Sequence, residues 1–170
     1  METGHTVWYA LHVRSRHECL VEEILRYKNY ETFLPLRRAD TPEFKGRNDT
    51  QLPLFPGYLF CKCNLASHSC GMVVTTPGVI RILGRSKSPT PIPDDQIEAV
   101  KQLVQSRVEL LPWPFIEPGQ LVMIRGGPLR GLRGCVLSGG SYSRFVVSVT
   151  LLQRSVAVKI ERDCVSPLLS

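Results

Sequence analysis

From Val7 to Val13 the chain alternates, with Val7, Tyr9, Leu11 and Val13 facing one way and Trp8, Ala10 and His12 the other, as a β-strand with its period of two requires. The period then changes. Ser15 followed by Glu18 forms a capping-box pair, and Leu20, Val21, Ile24 and Leu25 recur at spacings that stripe one side of a helix of about three turns. Phe33, Leu34 and Leu36 surround Pro35, which has no N–H to give a central ladder, so this segment predicts an edge strand. A polar loop from Arg37 to Gln51 follows. Leu54 to Phe60 sets a Pro56-Gly57 turn directly before another apolar strand, and Gly78 to Leu83 predicts one more. Asp94, preceded by Pro91 and Pro93, is placed to cap a helix whose Ile97, Val100, Leu103 and Val104 form a narrow apolar stripe. This order predicts an α+β fold, an antiparallel sheet with flanking helices.

Beyond this point the character of the chain changes. Pro112, Pro114 and Pro118 surround Trp113 and Phe115, which predicts a stiff linker over 106–116 between a first domain of 1–105 and a second of 117–170. Leu121 to Arg125, Cys135 to Leu137, Phe145 to Val149 and Val156 to Ile160 are short runs rich in β-branched residues. Gly126-Gly127-Pro128, Gly139-Gly140-Ser141 and similar turns separate them. That rhythm predicts a small five-stranded β-barrel, which hides the strand edges an open sheet exposes.

Composition adds function classes to exclude. With 43% apolar and 21% charged residues, the chain buries a core and is no disordered polymer. Its formal charge of +6 suits an anionic partner such as nucleic acid. From Glu117 onward seven basic residues stand against three acidic ones, so the excess is steeper in the second part. The start lacks the basic and apolar stretches of a secretory signal, and no apolar run approaches the roughly 18 residues of a membrane span, which predicts a cytoplasmic protein with no membrane partner. In a reducing compartment the six cysteines are expected as free thiols.

Three segments together resemble the NusG family, which includes specialised antiterminators of the RfaH and UpxY kind. They are Trp8-Tyr9-Ala10-Leu11-His12-Val13-Arg14, then Leu54-Phe55-Pro56-Gly57-Tyr58-Leu59-Phe60, then Glu117 to Ile124 with Gly127-Pro128-Leu129-Arg130-Gly131-Leu132-Arg133-Gly134, the last similar to a KOW motif. Thr76-Pro77-Gly78-Val79 and Pro91-Ile92-Pro93-Asp94 support them, and the set covers nearly the whole chain. The resemblance implies an NGN-like first domain that docks on the clamp helices of RNA polymerase, suppresses pausing and termination, and a KOW, Tudor-like second domain that recruits another partner. It implies a monomer, no catalytic residues and no cofactor. The segments at Trp8 to Arg16, Leu54 to Tyr58 and Ile92 to Asp95 look closest to the specialised kind.

On this resemblance Trp8, His12, Phe55, Pro56 and Tyr58 form or border the polymerase-binding face. Without it, aromatics beside a turn and a strand read as core. Arg14, Arg16 and His17, with Thr75 and Thr76, match the surface that faces the non-template DNA strand or nascent RNA. Read alone, the first three are a solvated cluster at a helix start, where cations oppose the helix dipole. Leu151, Leu152 and Arg154 match the stretch that engages a small-subunit ribosomal protein or a termination factor, although Leu152 stands where general NusG proteins carry an aromatic. Cys61, Cys63, His68 and Cys70 offer zinc-type ligands, but Cys61 and Cys63 lie on one face of a predicted strand about 6.5 Å apart, which fits no tight zinc knuckle; no metal is expected. A second function class keeps only the barrel, as a KOW-containing RNA-binding accessory protein of the ribosome. The Phe55-Tyr58 surface separates the two, since a ribosomal module has no need of it.

Overall fold

The computed structural model describes residues 5–38, 51–64, 69–85, 88–106, 108–114, 121–139, 142–149, 152–160 and 164–168. By its contacts the chain divides into two compact units, Met1–Leu36 with Leu52–Asp94, and Arg37–Gln51 with Asp95–Ser170.

In the first unit β1 (Val7–Val13) is central. It pairs antiparallel with β5 (Tyr58–Cys63) on one side and with β6 (Val79–Ile82) on the other, and β2 (Glu31–Phe33) completes a four-stranded sheet in the order β2-β5-β1-β6. The edge position expected before Pro35 is occupied by β2, while Leu36–Arg38 forms a separate strand, β3, paired with β4 (Gln51–Pro53). Because β1 is covered on both faces, its alternation separates two cores instead of core from solvent. On one face Leu11 and Val13 join Leu59 and Cys61 of β5 against Val21 and Leu25 of α1 (Glu18–Tyr27), with Leu34 and Val73 closing the cluster. Fully burying each aliphatic side chain contributes roughly 1.5–3 kcal/mol. On the other face Ala10 lies opposite Phe60, and Phe60 meets Phe33 in a stack at 5.9 Å and Phe55 edge-on at 6.1 Å.

The helix starts differently from the capping-box expectation. Its N-cap is His17, which makes no side-chain cap, and Ser15 instead offers its carbonyl to His17 Nδ1 at 3.0 Å. Arg16 takes a left-handed φ of 65° that turns the chain from strand to helix. Glu18 is thereby the first helical residue and its carboxylate is aimed away from its own helix. Two short elements showed no pattern in the sequence: α2 (Ser69–Val74), and the hairpin of β7 (Gly84–Arg85) with β8 (Ser88–Pro89).

In the second unit, α3 (Asp94–Gln105) buries Ile97, Val100 and Leu103, the stripe expected for it. The sheet has six strands where five were expected, ordered β14-β10-β11-β12-β13-β9. Its members are β9 (Leu111–Pro114), β10 (Leu121–Ile124), β11 (Arg133–Gly139), β12 (Tyr142–Val149), β13 (Arg154–Ile160) and β14 (Val165–Pro167). The added strand is β9, which lies in the stretch read as linker; as an edge it tolerates Pro112 and Pro114. Val122, Ile124, Phe145, Val156 and Val158 are buried in this unit.

Candidate functional site

The turn that ends in β5 is built from its backbone outward. Tyr58 donates its N–H to the Phe55 carbonyl at 3.1 Å, and Gly57 sits at a φ of 82°, which a residue with a Cβ adopts only under strain. The Gly57 carbonyl accepts the Val13 N–H at 2.9 Å, and the Gly57 N–H donates to the Glu18 carboxylate at 2.8 Å. The turn is therefore clamped on both sides of one residue, through its two flanking peptides, by the β1–α1 junction. Above it, His12 and Tyr58 are cross-strand partners whose rings stack at 5.4 Å with an interplanar angle of 26°.

Of the five residues assigned to the polymerase face, Pro56 is exposed and His12 and Tyr58 are half-buried. Phe55 and Trp8 are withdrawn, 3% and 2% exposed. Phe55 supports the turn from below through Phe60. Trp8 bridges to Ile92, and the Lys62 ammonium lies 5.7 Å from its ring centre. Both aromatics are core side chains, as the residues read without the resemblance suggest. Glu18 was the residue missed as a site component. Its capping-box spacing assigned the carboxylate to a local amide, whereas it bonds one 39 positions away.

The second assigned surface also converges. Arg14 and Arg16 are exposed and His17 is half-buried at the junction, and the Arg14 N–H donates to the Gly78 carbonyl at 2.8 Å, bringing the Thr75–Gly78 turn alongside. A Cβ on Gly78 would meet Val21 Cγ2 at 2.7 Å and His17 Cβ at 3.5 Å, so the approach depends on glycine. Thr75 is exposed. Thr76 is 2% exposed and committed internally: its hydroxyl donates to the Met72 carbonyl at 2.7 Å and accepts from Lys28 Nζ at 2.9 Å. It builds the surface without presenting a side chain on it.

In the second unit Arg154 is exposed at the start of β13, Leu152 is buried, and Leu151 lies outside the described residues. Arg130 and Arg133 are exposed. Cys61 and Cys63 are buried in β5, and a hydrogen bond from the Cys61 thiol holds the Cys63 thiol below its ordinary pKa against the raising effect of burial. His68 and the Cys70 side chain lie outside the described residues, and among those described no three metal-type ligands converge.

A family model described as "Transcription termination factor nusG" matches residues 6–101, more than half of the chain. The chain belongs to the NusG family. The Transcription termination/antitermination protein NusG of Yersinia pestis is 28% identical over 167 residues, covering 91% of this chain and 92% of that protein. The protein of the same name from Helicobacter pylori is 24% identical over 164 residues, covering 90% and 93%. Among solved structures, one titled "Domain interaction in Thermotoga maritima NusG" has a TM-score of 0.58 at 19% identity and covers 96% of this chain and 98% of that one, a likeness of fold. Membership of the NusG family places the chain among transcription termination/antitermination proteins. The stretch matching the NusG model contains the whole four-stranded sheet and both turns at the β1–α1 junction. Among the described residues no helix is long and apolar enough to cross a membrane.

Proposed function

We propose that the chain is a non-enzymatic transcription elongation and antitermination factor that docks on the clamp helices of RNA polymerase through the Pro56–Tyr58 turn. The observation that carries this reading is the half-buried His12–Tyr58 stack, set beside exposed Pro56 on a buried base of Phe55 and Phe60. Aromatic anchors held in place before binding lose little side-chain freedom on association, and such anchors concentrate binding energy. Docking suppresses pausing and termination by favouring the polymerase conformation that it binds more tightly, to an extent set by the difference in affinity. Arg14, Arg16, His17 and Thr75 face the non-template DNA strand or nascent RNA. The stretch through Leu151, Leu152 and Arg154 recruits a small-subunit ribosomal protein or a termination factor. The family segments from Trp8 to Arg16, Leu54 to Tyr58 and Ile92 to Asp95 favour a specialised antiterminator.

The test is capture of purified core RNA polymerase by the wild-type chain and by Tyr58→Ala, with circular dichroism on both. Tyr58 is preferred to Phe55 because truncating a buried ring also removes core packing. Affinity is expected to fall by at least about tenfold with the fold intact, the loss typical of a binding anchor. Equal capture by a folded Tyr58→Ala removes the docking turn from the account. Failure of the wild type to bind polymerase, with ribosomal RNA retained instead, replaces it with the ribosomal accessory reading.

A further inference from the structure

Glu18 is the one charged side chain among the described residues that is buried, 4% exposed, and its place in the first turn of α1 serves no cap of that helix. Burial of a carboxylate is unfavourable unless hydrogen bonds replace its water, so a buried one bonded far along the chain marks a contact that the fold retains at a cost. Its contact here is the Gly57 N–H, at 2.8 Å. Within the turn this N–H lies between exposed Pro56 and stacked Tyr58. The opposite side of Gly57 is held by backbone alone, through its carbonyl and the Val13 N–H at 2.9 Å. A Cβ on Gly57 would lie 3.8 Å from the His12 ring and from the Val13 carbonyl, ordinary contact distances with no tight wedge. Among the described residues the acceptor for the 56–57 peptide N–H is the Glu18 carboxylate, which ties the orientation of that peptide to a side chain.

We propose that Glu18 is a positioning residue for polymerase docking: by fixing the Gly57 peptide it sets the angle at which Pro56 and the His12–Tyr58 stack are presented. This rests on the docking reading given above. A hydrogen bond between an ionised acceptor and a backbone N–H is short and strong, and α1 adds the positive end of its dipole at the same place. The requirement is for an acceptor at that reach. Glutamine supplies one at the same chain length, whereas aspartate keeps the charge but withdraws it by one methylene.

The experiment compares the full-length wild type, Glu18→Gln, Glu18→Asp and Glu18→Ala in two readouts: affinity for purified core RNA polymerase, and amide hydrogen exchange of Gly57 by NMR, with the α1 amides of Val21 and Leu25 as internal controls. Glu18→Gln is expected to protect the Gly57 amide and bind within about threefold of wild type. Glu18→Asp and Glu18→Ala are expected to lose Gly57 protection and about tenfold in affinity while the α1 amides stay protected, the size of effect expected for one lost hydrogen bond to a charged group. The reverse order, with Asp retained and Gln lost, would show that charge and not reach matters and would overturn the assignment. So would full affinity in a variant whose Gly57 amide exchanges freely. If the wild type does not bind polymerase, the docking reading fails and takes this role with it; protected Gly57 amide in that case records a contact of the fold alone.

Discussion

Two glycines meet the β1–α1 junction at different tightness, and the difference is measurable. Gly57 and Gly78 both hold positive φ, 82° and 95°, but only at Gly78 would a Cβ strike a neighbour, Val21 Cγ2 at 2.7 Å. A left-handed residue with a Cβ costs about 1–2 kcal/mol. Gly57→Ala should therefore lose about that much in urea unfolding, and Gly78→Ala distinctly more, since Val21 must also move within a packed core. Equal losses would mean that Val21 yields freely and that the Thr75–Gly78 turn is not wedged against α1. At this scale the burial of Trp8 and Phe55 was legible, since aromatics beside a turn and a strand read as core. The partner of Glu18 was not, because the helix-start signature is local and the bond is long-range.

Among the elements, α1 is tied to α2 by a single ammonium. Lys28 Nζ donates to the Met72 carbonyl at 3.1 Å and to the Thr76 hydroxyl at 2.9 Å, and that hydroxyl donates in turn to the same carbonyl. Thr76→Val keeps the shape and removes the hydroxyl, which should cost about 1–2 kcal/mol of stability. In a double-mutant cycle with Lys28→Ala the two changes should be non-additive by at least about 0.5 kcal/mol. Additive losses, read from chemical denaturation of the four proteins, would show that the ammonium does not bind the hydroxyl in solution. The long elements were legible: Val7–Val13 and the apolar stripe of α3 follow directly from their periods. The short ones were not, since six residues of α2 complete too little of a helical repeat to show a stripe, and the prolines of β9 are compatible with both a linker and an edge strand.

For the molecule as a whole, the charge of +6 gives any contact with nucleic acid a salt dependence, and the proposed contact through exposed Arg14 and Arg16 accounts for a definite share of it. Each phosphate neutralised on a single strand contributes about 0.7 to the slope of log affinity against log salt. Replacing both arginines by alanine should reduce that slope by about 1.4 for single-stranded DNA, measured by fluorescence anisotropy over a salt series. An unchanged slope would assign the electrostatic contact to another face, such as that of Arg130 and Arg133. The sequence divides the chain in two by composition, with its boundary after residue 105, while the compact units part after Asp94, the first residue of α3.

Val13 and Arg14 hold two turns with consecutive peptide N–H groups, one on the Gly57 carbonyl and the next on the Gly78 carbonyl. A peptide N–H comes with every residue except proline, so the scaffold does not depend on which other side chain stands at position 14. Position 16, left-handed at 65°, is if anything relieved by glycine or asparagine. The side chains presented at positions 14 and 16 can thus change by single substitutions while the turn beside them remains in place. A one-residue insertion there is another matter, since it puts the two N–H groups out of step with the carbonyls they hold. In descendants of this chain, drift in letters and constancy in length are the expected signature of these few residues.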